Sequence, residues 1–527
     1  MNGHRPMRGA NEWTMPATTQ PVCARRICRV GAGIQAGLIS TLLIALACSP
    51  TLAGEPSVTP ASMPRIGEVD ARFQSYNVEM VEVTGGRFWK PYGPDRFEAG
   101  SDLFAQRAPI DLTSIRLRKL AAALAPAYLR VSGTWANATY FADSGTAPSA
   151  PPAGFNGVLT RQQWRGVIDF SHAVGAPIVT SFAVSPGTRD ADGVWTPDQA
   201  SRLLAYTASV GGHIAAAEFM NEPNVAAPGV AAASDDAAAY GRDFRIFRSF
   251  VKREASDILI LGPGMAGETD AAARLLAASG LGLDVFSYHH YGALSERCTG
   301  ARPSDSALSE QWLARTDQTL NFYRRLRDRF EPGKPIWLTE TAEAACGGNR
   351  LAATFLDTFR YLDQLGRLAK AGVQIVMHNT LAASDYGLLD EKTFAPRPNY
   401  WGALLWRRLM GTTVLESGVP IQAGLHVYAH CQFGTPDGVG LLVINTDRDA
   451  ARVIRLDAAS ERYTLDAATL DDGTVRLNGH ALELRTTDDL PEITGDRTPA
   501  GPLTFAPATI TFLAIPAAAN AACLARR

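Results

Sequence analysis

Two glutamates stand at the ends of apolar runs. Glu222 follows Ile214-Ala215-Ala216-Ala217-Glu218-Phe219-Met220-Asn221 and precedes Pro223-Asn224. Glu340 closes the run Pro335-Ile336-Trp337-Leu338-Thr339. Each run reads as a buried strand that stops at a carboxylate. Two carboxylates on opposite sides of one bond are a common apparatus for hydrolysing a glycosidic link. One, protonated, serves the leaving oxygen; the other, ionised, attacks the anomeric carbon. A separation of about 5–5.5 Å goes with retention and about 6.5–9.5 Å with inversion. The acid needs a raised pKa, which burial and a neighbouring carboxylate supply. Read singly, either glutamate could be a solvated loop charge. The matched strand ends argue for a pair.

The elements that must position the pair alternate along the chain. Strands are expected at 76–83, 127–131, 177–184, 214–220, 258–261, 284–288, 335–340 and 373–377. Helical patterns lie between them, over about 112–125, 161–174, 197–210, 235–255, 270–279, 307–329 and 350–370, with a last one at 399–409. Eight strand–helix units predict an α/β fold, a parallel (β/α)8 TIM barrel, with active groups at the carboxyl ends of the strands. A doubly wound open sheet is the rival, but it does not need eight regular units. No glycine-rich phosphate fingerprint follows any strand. From about 412 the pattern changes to short alternating strands, among them 425–430, 439–445, 451–456, 474–477 and 508–513, separated by turns such as Asp471-Asp472-Gly473. This predicts a C-terminal β-sandwich. The expected layout is an export segment over 1–53, a lead-in over 54–72 that can add a strand to the sandwich, a barrel over 73–411 and a sandwich over 412–527.

Bulk properties narrow the function. The 527 residues carry 50 Lys and Arg against 52 Asp and Glu, a formal net charge of −2, with 46% hydrophobic residues. A near-neutral globular chain gives no reason to expect nucleic acid as a partner. Arg25, Arg26 and Arg29 precede an apolar stretch over about 34–47 that is short for a membrane span and suits a secretory signal. Cleavage after Ala47 or Ala53 is expected, with a lipid anchor on Cys48 or an uncleaved membrane anchor as alternatives. The expected location is therefore periplasmic or secreted. Beyond that segment stand Cys298, Cys346, Cys431 and Cys523. Cys431 and Cys523 share the strand-rich part and are expected to pair. Cys298 and Cys346 lie just past two barrel strands; a bridge between neighbouring loops and two free thiols both fit.

Ordered motifs give the chain a family likeness. Asn221-Glu222-Pro223 resembles the acid/base motif of the large barrel clan of retaining glycosidases. Within that clan the chain resembles glycoside hydrolase family 79, the heparanase and β-glucuronidase family. The likeness rests on Tyr128-Leu129-Arg130-Val131-Ser132-Gly133-Thr134, Tyr288-His289-His290-Tyr291, Trp337-Leu338-Thr339-Glu340-Thr341 with Cys346-Gly347-Gly348, Asp385-Tyr386-Gly387-Leu388-Leu389-Asp390, Pro398-Asn399-Tyr400-Trp401 and Val427-Tyr428-Ala429-His430-Cys431. It spans about 120–523. Cys431 and Cys523 also match the family's C-terminal disulfide.

The resemblance implies that Glu222 is the general acid/base and Glu340 the nucleophile. It implies that Asn221 binds the sugar 2-hydroxyl, that Tyr291 donates to Glu340, and that His289 and Thr134 line the site. The Gly347 amide and Tyr386 hydroxyl would bind a uronate carboxylate, where glycine permits close backbone approach and donated bonds to an anion are strong. The implied partner is a glucuronic-acid-containing glycan or glucuronide, with no cofactor and no stable protein partner.

Several alternatives stand beside these roles. Tyr291 and Tyr386 could fill the barrel rim. His289 and His290 alternate on a strand, so one is expected to face the mouth and the other the helices. As metal ligands they lack a third residue at suitable spacing. Trp337 reads as core. Asn137-Ala138-Thr139 is a glycosylation sequon. Departures from the family are Cys346 and Ser132, which stand where it has glycine, and the stretch Thr84 to Lys90, which does not match the family's animal enzymes. Arg87 or Lys90 could touch an acidic glycan or be solvated. Lysines are scattered and Ser234-Asp235-Asp236 is acidic, so a small or weakly sulfated substrate is expected. The other functions in view are a β-xylosidase or arabinofuranosidase of the same clan, and a carbohydrate-binding protein without catalysis.

Overall fold

The computed structural model describes residues 55–92, 102–146, 148–226, 230, 232–299 and 306–524. The expected export segment, with Cys48, lies outside the described residues.

Eight strands form a closed parallel barrel: β1 (Gln74–Glu79), β2 (Leu129–Ser132), β3 (Ile178–Ser181), β4 (Ile214–Glu218), β5 (Leu259–Ala266), β6 (Val285–Leu294), β7 (Ile336–Ala345) and β8 (Ile375–His378). Chain neighbours are barrel neighbours, and β8 pairs with β1 through Val376 and Gln74. Helices cover the outside: α1 (Met80–Thr84), α2 (Ile115–Ala122), α3 (Arg161–Val174), α4 (Asp198–Ser209), α5 (Ala237–Glu254), α6 (Ala271–Ser279), α7 (Arg315–Phe330), α8 (Phe355–Lys370) and α9 (Pro398–Leu409). Local chemistry sets their ends. In α3 the Thr160 and Gln163 side chains and backbones bond reciprocally at the start, and Gly175 closes the helix at φ 66°. Its buried Trp164, Val167, Ile168 and Val174 recur at helical spacing and face the strands.

The barrel interior is filled in layers, as parallel barrels require. The lower layer is apolar: Tyr128, Val179, Ala216, Leu261, Val285, Trp337, Ile375 and Met377 pack together. Trp337 is thus core. Above it the inward positions turn polar, with Arg130, Glu218, Ser287 and Thr339 linked by hydrogen bonds.

Behind the barrel lie two further sheets. The larger orders Arg65–Glu68, β9 (Met410–Leu415), β10 (His426–Gln432), β11 (Val439–Asn445), β15 (Thr509–Ile515) and β13 (Ser460–Asp466). The smaller orders Ser57–Val58, β12 (Arg452–Leu456) and β14 (Gly501–Phe505). Both therefore take a strand from the 54–72 lead-in. Alternate residues serve the two faces of the larger sheet. Val427, Leu441, Val443 and Leu513 pack against Ile454 and Leu503 inside the sandwich. Tyr428, Leu442, Ile444 and Phe512 join the core of the barrel helices. The Cys431–Cys523 disulfide ties β10 to the chain's end.

Several sequence boundaries shift. The first strand stops at Glu79, and 80–84 is a short helix, because Glu79 and Glu82 cap it reciprocally. The run 474–477 pairs only over Arg476–Leu477. Expected helix 307–329 breaks at Ala314 into Glu310–Leu313 and α7, and 350–370 opens with a separate turn, Arg350–Ala353. The strands Met410–Leu415 and Ser460–Asp466 were not legible in the sequence pattern. No helix of the described residues is long and apolar enough to cross a membrane.

Candidate active site

The two glutamates meet at the barrel mouth, but neither is a strand terminus. β4 ends at Glu218, and Glu222 lies four residues beyond, at φ 44°. That left-handed backbone is unusual for a side-chain-bearing residue and is held from several sides. The Glu222 amide donates to the Gly264 carbonyl at 3.1 Å, and the Glu222 carbonyl accepts from the Val225 amide at 2.9 Å. Asn137 donates through Nδ2 to the Asn221 carbonyl and accepts the Asn221 amide through Oδ1, both at 2.8 Å. Asn137 is 1% exposed, so the sequon sits inside the fold and serves this corner.

Glu340 lies mid-strand, since β7 runs on to Ala345. The register between β6 and β7 slips between Tyr288 and His289, so that His289 pairs with Glu340. This bulge lets Thr339 and Glu340 both reach inward: Thr339 donates to Glu218, and Glu340 accepts from Arg130. Tyr291, expected after the sixth strand, lies within β6 and donates to Glu340 Oε1 at 2.5 Å.

Arg130 is the centre of the polar layer, and sequence reasoning passed over it. From β2 its guanidinium donates to Glu218 Oε2 at 2.8 Å, Glu340 Oε2 at 2.9 Å and Asn221 Oδ1 at 2.8 Å. Its Nη2 lies 3.4 Å from His289 Nε2, and His289 Nδ1 lies 2.9 Å from Glu222 Oε1. The signal was available: an arginine between Leu129 and Val131 in a buried strand needs a carboxylate partner. Glu218 in its alanine run carried the same signal.

Oxygens of Glu222 and Glu340 approach within 4.8 Å, with His289 in the same cluster. The environment drives the two apart in acidity. Burial and the Glu340 charge push the Glu222 carboxyl up, against the hydrogen bond from His289. Burial also works against ionised Glu340, but His289, Arg130 and Tyr291 outweigh it and hold that carboxyl below its ordinary value. One group is thus built to hold a proton and its neighbour to stay anionic.

Glu222, His289 and Glu340 also form the third-ligand set that the sequence spacing did not reveal. Arg130 already supplies a fixed cation to Glu340 at 2.9 Å and stands beside His289, so a metal ion there would face a guanidinium. His290 points outward among Arg360 and Arg315, where burial and those charges lower its pKa to about 3.

The remaining sequence candidates surround this pair. Thr134 opens the turn Thr134–Ala138, just after Gly133 at φ 93°. A Cβ on Gly133 would strike the Glu79 carboxyl, so this glycine makes room for Glu79 at the mouth. Ser132, in place of a family glycine, bonds Ser181 at 2.7 Å inside the barrel. Cys346 is bridged to Cys298, joining the loops after β6 and β7. Gly347 follows at φ 80°, packed against Trp89, and Gly348 packs against Tyr386. Tyr386 is buried, and its hydroxyl accepts from Asn379 at 3.2 Å.

The unmatched stretch after α1 forms a hairpin, Gly86–Trp89 with Phe104–Arg107. Its Trp89 and Phe104 rings cluster with Trp135. Arg87 is bonded to exposed Asp102, while the Lys90 carbonyl accepts from Arg297. Glu79, Asn137 and Asn379 were also missed: Glu79 read as one residue of a longer strand, Asn137 as a sequon, and Asn379 as loop beyond the eighth strand.

Comparisons with known proteins show the family and the fold. Over 479 residues the chain is 28% identical to heparanase of Mus musculus, covering 78% of this chain and 88% of that one. Heparanase-like protein 1 of Arabidopsis thaliana is 26% identical over 498 residues, 82% of this chain and 90% of the relative. Baicalin-beta-D-glucuronidase of Scutellaria baicalensis is 27% identical over 349 residues, covering 62% and 64%. Among solved structures, a 4-O-alpha-L-rhamnosyl-beta-D-glucuronidase from Fusarium oxysporum superposes with a TM-score of 0.62 at 13% identity, over 88% of this chain and 99% of that one. An arabinofuranosidase does so at 0.61 and 14%, with the same coverages. Such identities speak for the fold alone. Residues 97–366 match the model of the glycosyl hydrolase family 79 N-terminal domain, which encloses Glu222, His289, Tyr291 and Glu340. With that match over half its length, the chain is a glycoside hydrolase and belongs to glycosyl hydrolase family 79.

Proposed function

We propose that the protein is a retaining β-glucuronosyl hydrolase in which Glu340 attacks the anomeric carbon and Glu222 protonates the leaving oxygen. The observation that carries this reading is the carboxyl pair itself, within 4.8 Å and driven in opposite directions by its surroundings. That spacing leaves no room for the water an inverting enzyme places between its carboxyls. In the first step the Glu340 oxygen forms a glycosyl ester while Glu222 passes its proton to the departing aglycone. In the second, Glu222 takes a proton from water, which displaces Glu340 with a second inversion. Asn221, held by Arg130, is set to bind the 2-hydroxyl, and Tyr291 steadies the nucleophile. His289 and Thr134 line the sugar.

Gly347 and Tyr386 are assigned to the uronate carboxylate. The relatives named heparanase and baicalin-beta-D-glucuronidase support a glucuronic-acid substrate. The net charge of −2 and the pairing of Arg87 with Asp102 favour a small or weakly sulfated one. Two disulfides support an exported protein. Turnover of aryl β-glucuronide and aryl β-xyloside, with the anomer released followed by proton NMR, tests the assignment. Glucuronide cleavage with release of the β-anomer is expected. Cleavage of the xyloside alone would overturn the uronate assignment, and release of the α-anomer would overturn retention.

A further inference from the structure

Asn379 follows β8 directly, and nothing in the roles above uses it. It is 1% exposed. Its backbone amide donates to the Thr341 carbonyl of β7 at 2.8 Å, while the Leu381 amide donates to the Asn77 carbonyl of β1 at 2.7 Å. The side chain is thus anchored between two strands. Its Nδ2 stands 3.1 Å from Glu79 Oε1, 3.1 Å from the Tyr291 hydroxyl and 3.2 Å from the Tyr386 hydroxyl. Its Oδ1 is buried with no partner.

A phenol has one proton and otherwise only accepts. Tyr291 spends its proton on Glu340 Oε1 at 2.5 Å. Whatever else bonds that hydroxyl must donate, and Asn379 is the group in reach. This requirement fixes the amide with its nitrogen inward. The same nitrogen faces the Tyr386 oxygen, and its two protons serve the two hydroxyls because burial pushes the Glu79 carboxyl toward its neutral form and makes Oε1 the weakest of the three acceptors. A donor on that lone pair turns the Tyr386 proton away from the cluster, toward an anion in the site. We propose that Asn379 is a positioning residue that sets both tyrosine hydroxyls as donors, Tyr291 toward Glu340 and Tyr386 toward the substrate carboxylate. The Tyr291 half rests only on the two-glutamate mechanism; the Tyr386 half rests also on the uronate reading.

The groups facing Glu340 are Arg130 from β2, His289 and Tyr291 from β6, Glu79 from β1 and Glu222 beyond β4, with Tyr386 next to Tyr291. Of these, Tyr291 and Glu79 are bonded by Asn379, and Tyr291 alone passes that bond on to Glu340 by a hydrogen bond of its own. Two variants separate donation from packing. Asn379→Leu keeps the branched shape, though not the volume, and removes the donors; Asn379→Asp keeps shape and turns the position into an acceptor that competes for the Tyr291 proton. Both are checked for folding by thermal melting.

The pH profile of kcat/KM is measured on whichever aryl β-glycoside the wild-type enzyme cleaves. The acid limb, where Glu340 ionises, should rise by roughly half to one pH unit in Asn379→Leu, and further in Asn379→Asp. An unmoved acid limb in either folded variant overturns the Tyr291 half. For Tyr386, the ratio of kcat/KM on the glucuronide to that on the matched glucoside should fall about fivefold or more in Asn379→Leu, as one charge-assisted bond is lost. Equal losses on both substrates overturn that half. A wild-type enzyme that cleaves only the xyloside overturns the uronate reading and the Tyr386 half together, and the acid-limb measurement is then made on the xyloside.

Discussion

At the scale of single residues, the site divides one chemistry between two identical side chains by their neighbours. Arg130, His289 and Tyr291 keep Glu340 anionic, while burial and that anion keep Glu222 protonated. On the proposed mechanism, activity needs Glu340 deprotonated and Glu222 protonated. The pH profile of kcat/KM should be bell-shaped, with its acid limb below the ordinary carboxylate range and its basic limb above it. Removing the two groups should have different signatures. Glu340→Ala should leave no measurable turnover on any substrate while the protein still melts cooperatively. Glu222→Ala should cost about 10^2–10^4-fold in kcat on an alkyl glucuronide, whose leaving group needs the proton. The loss should be smaller on a nitrophenyl glucuronide, whose leaving group departs as an anion. Equal losses on both substrates would argue against Glu222 as the acid.

At the scale of elements, periodicity made the barrel legible, because most strands that line it are apolar runs and most helices have a buried stripe; β1, with Gln74, Ser75, Asn77 and Glu79, is the polar exception. What it hid were departures from regularity, and those place the chemistry. Glu222 owes its position to its own left-handed backbone beyond β4, and Glu340 to a bulge in the β6–β7 ladder. Neither has a signature in apolar spacing. The short helix α1 is a third case: Glu82 looked like a strand residue, yet its Oε1 accepts the Glu79 amide at 2.9 Å and helps end β1. Burial raises the Glu82 pKa from 4.5 to about 7, against that hydrogen bond and Arg107. A carboxyl with a raised folded pKa stabilises fully below its unfolded value and loses that contribution as pH rises through the folded one. Between pH 4.5 and 7 this group should therefore cost the fold on the order of 3 kcal/mol, fully developed by about pH 8. Glu82→Gln keeps the accepting oxygen and removes the charge. Chemical denaturation should find the variant more stable than wild type at pH 8 and similar to it at pH 4.5. A variant less stable at both would mean that the carboxyl itself is needed.

At the scale of the whole molecule, the sandwich is fastened to the barrel by charge as well as by apolar packing. Its existence was legible in the strand pattern after 412, and Cys431 with Cys523 in their shared context. Its attachment was not, since the partners lie far apart in sequence and each looks ordinary alone. Asp363 of α8 accepts from the Tyr428 hydroxyl of β10 at 2.6 Å, lies 2.5 Å from His426 Nδ1 of β10, and accepts from Arg367 at 2.7 Å. Arg367 also reaches Glu310 and Asp317. Burial works against the Asp363 charge, but His426, Arg367 and Tyr428 together hold its pKa below the ordinary value. Its stabilising contribution is therefore present above pH 3.8 and lost as pH falls further. Asp363→Asn removes the buried anion that Arg367 and His426 share and leaves them only the half-exposed Glu310 and, for Arg367, Asp317, and should cost about 1–3 kcal/mol at pH 7. The loss should shrink as pH falls below 3.8 and wild type comes to bind the proton too. Replacing Asp363, Arg367 and His426 together with apolar residues of similar volume should recover most of it, because the desolvation cost goes with the charges. Guanidinium unfolding of the single and triple variants measures both effects. A single variant as stable as wild type at pH 7 would show that apolar packing alone joins α8 to β10.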